Sequence, residues 1–302
     1  MISVIIPSYN SEYTISKCIQ SLKEQNNPEK FEIILADSSI DNTREIVKKD
    51  FPEVKIISFP EKTDPGTARN AGIKCATGDL IVFIDSDCIA GENWLIKHVQ
   101  YHQKNSDVAA VGGSVLNGNS PKNIVGWSGY FGEFREFLPA CPPEFRTHIP
   151  TLNISYKRWV FEKYGYFDPN FYPQEDLVFN YNLTNEGEKI FFDPSIKVWH
   201  THRSKLGDFF NHQYKIGVIT SQVLKLIPLN GHTIVKNKLL YIFVAPLIPL
   251  VKFFRTLVVI LKFQAVQFQL KIFSIMLLKI GLMYWFLGFT RGVFAKNSGI
   301  RP

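Results

Sequence analysis

Two carboxylates stand two residues apart in Asp85-Ser86-Asp87, directly after the apolar run Leu-Ile-Val-Phe-Ile at 80–84. Where a strand gives way to a loop, side chains at i and i+2 can point together at one cation. Hard divalent ions such as Mg²⁺ or Mn²⁺ take oxygen ligands and share them with substrate phosphates. The same spacing also serves an exposed polar turn, so the motif gains meaning only from its surroundings. A second acidic pair, Glu175-Asp176, heads a helical segment after Pro173. Carboxylates near a helix N-terminus are favoured in their ionised form, which suits a proton acceptor and ordinary capping alike. His98 and His102 are spaced to share a metal, yet no Cys or third His lies nearby, and a solvated helix face is the expectation. Gly112-Gly113 reads as a turn or as a place where backbone approaches substrate, and not as a dinucleotide fingerprint, since G-x-G-x-x-G is absent.

The elements that position these residues follow from periodicity. Short apolar runs at 2–6, 31–35, 54–59 and 80–84 read as strands. The run at 2–6 fits a strand buried on both faces, and the run at 80–84 is very apolar. Between the four runs lie helical patterns at 12–26, 44–50 and 67–76; the first ends in the polar stretch Gln25 to Pro28, and Asp41-Asn42-Thr43 caps the second. This alternation requires crossover connections and a largely parallel sheet, whose ligands bind beyond the carboxyl ends of the strands. Those ends carry Pro7 to Asn10, Ala36 to Ser38, and Asp85 to Asp87. Past residue 108 come a short apolar run at 108–111, a loop-rich aromatic stretch to 150, and an ordered segment 151–202. That segment holds the helix headed by Glu175-Asp176 and two short strands, 190–192 and 196–199, ending at His200. Trp127, Tyr130, Phe131, Phe134 and Phe137 suit an acceptor wall, a membrane-facing rim or plain core.

Charge divides the chain unevenly. Residues 1–202 carry a net −6, whereas 203–302 carry +13 with Asp208 as the single acid. A uniform nucleic-acid binder would not be split this way, and no nucleic-acid partner is expected. Residues 239–251 contain no charge and 272–289 contain only Lys279, each close to the length that spans a bilayer. Prolines and interleaved cations fit interfacial helices, a re-entrant hairpin or spans, and a buried hairpin of a soluble domain is the alternative. The surrounding Lys/Arg excess matches anionic cytoplasmic lipid. Cys18, Cys75, Cys88 and Cys141 form no C-x-x-C pair, so zinc ribbons and thioredoxin-type chemistry are excluded and reduced, buried thiols are expected. The first residues lack a basic n-region, and a protein held at the cytoplasmic face of the membrane is the expectation.

The motifs Val4 to Asn10, Leu35 to Thr43, Gly66 to Gly72, Asp85 to Asp87, Thr151 to Arg158, Gly165 to Asp168, Glu175-Asp176 and Val198-Trp199-His200 fall in a familiar order. In them the chain resembles the family 2 glycosyltransferases, nucleotide-sugar enzymes of the GT-A fold. The resemblance covers about residues 2–202. It implies an α/β GT-A domain with a mostly parallel sheet flanked by helices, followed by the hydrophobic, membrane-associated helical region. Residues 1–110 would form the nucleotide-sugar half, 111–230 the acceptor and catalytic half, and 231–302 the basic hydrophobic tail.

The resemblance also implies roles. Pro7 and Tyr9 would line the base and ribose pocket, and Asp37 would accept a hydrogen bond from the nucleobase imide. Ala36 stands where many relatives have a further acid. Arg69 would sit beside the diphosphate, where a guanidinium fork suits phosphate oxygens. Asp85, with Ser86 beside it, would contact the ribose or the metal through water, and Asp87 would bind the metal directly. His200 would be the second protein ligand, with His202 as rival two residues away. Imidazole favours Mn²⁺ over Mg²⁺. Asp176 would be the general base, with Glu175, Trp127 and His202 as possible acceptor or supporting residues.

The activity so implied is metal-dependent, inverting transfer of one sugar from a nucleoside diphosphate, UDP first, to a hydroxyl of a lipid-linked glycan in cell-surface polysaccharide or lipopolysaccharide assembly. A processive polysaccharide synthase is the alternative, although His212 to Gly217 lacks the Arg-Trp pair of such enzymes. A nucleotidyltransferase is the more distant one, since Pro7 to Asn10 is no Gly-rich phosphate loop. Oligomeric state is not legible.

Overall fold

The computed structural model describes residues 1–26, 30–262 and 268–295. Asn27 and Pro28, expected to close the first helix, and residues 263–267 and 296–302 of the expected tail lie outside the described residues. The first half alternates as the periodicity requires: β1 Ile2–Ser8, α1 Ile15–Lys23, β2 Phe31–Asp37, α2 Thr43–Asp50, β3 Lys55–Ser58, α3 Pro65–Cys75 and β4 Leu80–Ile84. Every residue of β1 and β4 is buried, the mark of strands covered on both faces. β1 pairs in parallel with β2 and β4, and β2 with β3, so all four strands end along one edge. α3 starts at Pro65, two residues ahead of the expected 67, where Asp64 accepts from the Thr67 amide at 2.9 Å. At α2 the cap comes from within the expected triplet Asp41-Asn42-Thr43. Asn42 makes no side-chain cap bond; Asp41 instead accepts from the Thr43 amide at 3.1 Å.

The second half continues with β5 Cys88–Ala90, α4 Trp94–Lys104, β6 Val108–Asn117, α5 Ile124–Phe134, β7 Glu144–Phe145, β8 Asn153–Lys157, α6 Trp159–Tyr164, α7 Glu175–Asn185 and β9 Lys189–His200. The sheet runs β3-β2-β1-β4-β8-β6-β9-β5, with β7 beside β9. β8 lies antiparallel to both β4 and β6, so the sheet is parallel in its first half and mixed beyond.

Three readings of this region change. Segments 190–192 and 196–199 are one strand, β9, whose register against β6 slips so that Gly113 faces Asp193 while Ser114 faces Lys197. Gly112-Gly113 is no turn; β6 runs through it to Asn117 because a Cβ at Gly113 would lie 1.9 Å from the Ile196 carbonyl oxygen. His98 and His102 do not face solvent. α4 turns both toward the sheet, where the Ser155 hydroxyl meets His98 Nδ1 at 2.9 Å and His102 Nε2 at 3.0 Å.

The chain forms two compact units, 1–118 with 136–200, and 119–135 with 201–302. The first contains the sheet. The second contains α5 with α8 Leu206–Leu226, α9 His232–Lys236, α10 Lys238–Val244, α11 Leu247–Lys262 and α12 Phe268–Phe294. α12 lies tight against α8: a Cβ at Gly217 would come 2.0 Å from the Trp285 carbonyl oxygen, and one at Gly288 2.1 Å from that of Tyr214. Small residues at such a seam let helix backbones approach closely. α12 also meets α5, where the Ser128 hydroxyl donates to the Ser274 carbonyl at 3.1 Å. By length and composition Leu270–Phe294 is long enough to cross a membrane, and α10 with α11 pass the same test as a pair bent by 55°.

Candidate active site

The carboxyl edge of the first unit collects most of the expected residues. β4 delivers Asp85, Ser86 and Asp87 in the turn to β5. β5 pairs antiparallel with the end of β9, placing Cys88 opposite His200. His200 Nε2 therefore stands 3.4 Å from Asp87 Oδ1, and the Cys88 thiol donates to the same oxygen at 3.9 Å. These three residues bring a carboxylate oxygen, an imidazole nitrogen and a sulfur within 4.8 Å of one another. An oxygen and a nitrogen donor on neighbouring strand ends, with the Asp87 side chain 41% exposed, fit a divalent ion that keeps further positions for substrate oxygens. His202 has aromatic neighbours of its own. It belongs to the second unit, where its ring lies among aromatics, 5.6 Å from Tyr130 and 5.4 Å from Phe134 between centroids. Within the first unit, His200 meets Asp87.

Arg69 lies deeper than expected. Its side chain is 5% exposed; Nη2 donates to Asp85 at 2.7 Å and Nη1 to Glu175 at 2.9 Å. The fork thus ties the end of β4 to the first turn of α7. Burial pushes the Glu175 carboxyl up to about 7 against the pull of Arg69. A guanidinium so engaged holds two carboxylates rather than lying open to phosphate. Ser86 is buried, its hydroxyl 2.7 Å from that of Ser11.

Asp176 differs from its neighbour Glu175. It is half-buried, and Thr151 donates to Oδ2 from its amide at 3.0 Å and its hydroxyl at 3.3 Å, while the Leu177 amide donates to Oδ1 at 2.7 Å. These three donors fix the orientation of the carboxylate. Nothing in a lone Thr at the head of the motif Thr151 to Arg158 foretells a partner 25 residues away.

At the other strand ends, Pro7 sits in β1 opposite Ala36, and Tyr9 follows half-exposed with the Lys62 ammonium 4.2 Å from its ring centroid. Asp37 is fully buried. Ser39 donates to it from its hydroxyl at 2.5 Å and its amide at 3.1 Å, and Arg44 Nε pairs with it at 3.1 Å. Arg44 and Lys62 escaped the sequence reading, because their partners are set by loops that carry no period. Trp127 packs among aromatic rings. It is buried in the second unit, its ring 5.6 Å from Tyr130 and 5.7 Å from Phe131, because α5 is apolar on nearly every side.

Comparison with known proteins gives this arrangement a lineage. Residues 3–163 match the family described as Glycosyl transferase family 2. A relative from Methanococcus voltae, dolichyl N-acetyl-alpha-D-glucosaminyl phosphate 3-beta-D-2,3-diacetamido-2,3-dideoxy-beta-D-glucuronosyltransferase, is 26% identical over 239 residues, 74% of either chain. S. aureus TarS 1-349 in complex with UDP-GlcNAc superposes with a TM-score of 0.53 at 22% identity, over 77% of this chain and 68% of that one. Against the longer TarS structure the matched part is 41% of that chain. Mannosyltransferase PcManGT from Pyrobaculum calidifontis, in complex with GDP-Man and Mn²⁺, superposes with a TM-score of 0.55 at 20% identity, over 70% of this chain and 61% of that one. At those identities the solved structures attest the GT-A-like fold. The matched family covers more than half of the chain, the carboxylates lie where such a sheet gathers its ligands, and the chain belongs to glycosyltransferase family 2.

Proposed function

We propose that this glycosyltransferase moves a single sugar, with inversion and with the help of a divalent metal, from a nucleoside-diphosphate donor to a hydroxyl of a lipid-linked glycan at a membrane surface. The observation that carries the reading is the convergence of Asp87 and His200 at 3.4 Å on the ends of β4 and β9. Asp87 and His200 would hold Mn²⁺, or Mg²⁺, with Asp85 alongside; the ion would supply Lewis-acid stabilisation of the departing diphosphate. Asp176, oriented by Thr151, takes the proton of the acceptor hydroxyl as its oxygen bonds to the anomeric carbon, while the bond from that carbon to the diphosphate oxygen breaks. Arg69 acts by fixing Asp85 and Glu175. Pro7, Tyr9, Asp37 and Ser86 belong to the donor side.

Residues 1–110 would serve the donor, 111–230 the acceptor and the chemistry, and 231–302 the membrane. UDP is the donor nucleotide we favour, in keeping with the TarS complex, and Mn²⁺ the ion, in keeping with PcManGT. A lipid-linked acceptor accords with the dolichyl phosphate in the name of the Methanococcus relative. Cell-surface polysaccharide or lipopolysaccharide assembly, on the cytoplasmic face, is the setting.

Nucleotide release from UDP-, dTDP- and GDP-sugars, with and without Mn²⁺ and with binding read in the same samples, tests the proposal. Metal-dependent release from one donor names the sugar, and binding without turnover points to a missing acceptor. Neither binding nor turnover with any donor would sink it.

A further inference from the structure

In the second unit, α11 turns one continuous apolar face outward. Leu247, Leu250, Val251, Phe254, Val258 and Leu261 recur at the three- and four-residue steps of one helical stripe, and each is 49% exposed or more. The other side of the same helix is spent on protein, with Thr256 and Ile260 fully buried. α10, immediately before it, adds Phe243 at 81% exposure. A contiguous apolar stripe of this kind marks a contact surface. What it contacts is indicated by charge. No Asp or Glu follows Asp208, while 209–302 holds 12 Lys and Arg. At the start of α10 a groove of about 670 Å³ is lined by His232, Thr233, Lys236, Asn237, Lys238 and Leu239. Both lysines are exposed there, and His232 Nδ1 donates to the Leu224 carbonyl at 2.7 Å, which fixes the ring at the groove.

We propose that this groove takes the phosphate of an anionic phospholipid while the α10–α11 stripe enters the apolar layer beside it. The cationic rim and the apolar face are contiguous in the chain, the order in which a bilayer presents headgroup and acyl chain. The 55° bend between α10 and α11, at Pro246, lets the two helices meet that surface at different inclinations. The inference deepens the membrane reading above and rests on it, naming the lipid charge and the residues that meet it.

Flotation of the full chain with vesicles of phosphatidylcholine alone, and of phosphatidylcholine with phosphatidylglycerol, tests both parts. Wild type is expected to bind both and to prefer the anionic vesicles. K236A/K238A should weaken binding to the anionic vesicles by about 25-fold, since each cation near such a surface is worth about fivefold, and leave binding to neutral vesicles unchanged. V251D/V258D should remove binding to either. Both substitutions lie on exposed positions, and an unchanged melting transition checks that the variants fold. Equal binding of wild type to the two vesicles, or K236A/K238A behaving as wild type, would overturn the phosphate groove alone. Undiminished binding of V251D/V258D would overturn the stripe. A dimer in lipid-free buffer that V251D/V258D dissolves, with no vesicle binding by wild type, would assign the face to a second copy and remove the membrane reading itself; donor turnover, measured separately, would be untouched by that outcome.

Discussion

Asp176 and Glu175 are adjacent in sequence and opposite in circumstance. One is half-buried and held by Thr151; the other is buried and tied to Arg69. Asp176→Asn is therefore expected to lower kcat by roughly 10²- to 10⁴-fold, the reach of a general base, with nucleotide affinity nearly intact. Weakened donor binding in isothermal titration would make Asp176 a binding residue instead. His200→Ala should raise the Mn²⁺ concentration for half-maximal activity beyond the about 10- to 100-fold that follows loss of a mere outer-shell partner. An unaltered metal dependence would hand the second ligand position to another group. Arg69→Lys keeps the charge but not the fork, so Asp85 and Glu175 cannot both be held. It should lower kcat while the affinities for UDP and for uridine change equally. A selective loss of UDP binding over uridine would restore Arg69 to the diphosphate.

His200 depends on β9, and β9 depends on Gly113. The register slip that lets Gly113 face Asp193 and Ser114 face Lys197 leaves the Ile196 carbonyl where a Cβ of residue 113 would be. Gly113→Ala must push the two strands apart, at a cost of about 1–3 kcal/mol for overpacking of this kind. Because the same strand carries His200 to Asp87, the melting temperature should fall together with metal affinity. A variant that melts lower yet keeps the wild-type Mn²⁺ dependence would show that the bulge and the strand end are mechanically separate.

The first unit carries an acid-sensitive pair in its core. Burial pushes His98 down to about 3 and His102 to about 4, from an ordinary value of 6.5. The unfolded chain binds these two protons as pH drops below about 6.5 and the folded chain does not, so stability is lost as pH falls from about 6.5 to about 4 for His102 and to about 3 for His98. Each residue contributes roughly 1 kcal/mol per pH unit across that window. Urea midpoints measured at pH 7.5 and 5.5 should differ accordingly, and H98N/H102N should flatten the difference; an equal slope in that variant would place the acid sensitivity elsewhere. The second unit is held differently, by close backbone seams between α8 and α12 and by α5 against α12. Residues 236–295 are therefore no detachable anchor, and cutting the chain at 236 would uncover α5 and α8.

The sequence by itself determined the parallel half of the sheet, the helices between its strands to within a few residues, the acidic motif at the end of β4 and the family. Each is written in short-range periodicity or in contiguous motifs, where neighbouring residues set the outcome. It left open His200 against His202 and the depth of Arg69. It placed Trp127 among possible acceptor residues, and His98 and His102 on a solvated face. The surroundings of His200, Arg69, His98 and His102 came only with the tertiary structure, because each turns on partners far along the chain: Cys88 across from His200, Glu175 reaching Arg69 over 106 residues, and Ser155 between two histidines. A side chain's burial and protonation follow from what packs on it, and that is fixed when strands and helices meet rather than when they form.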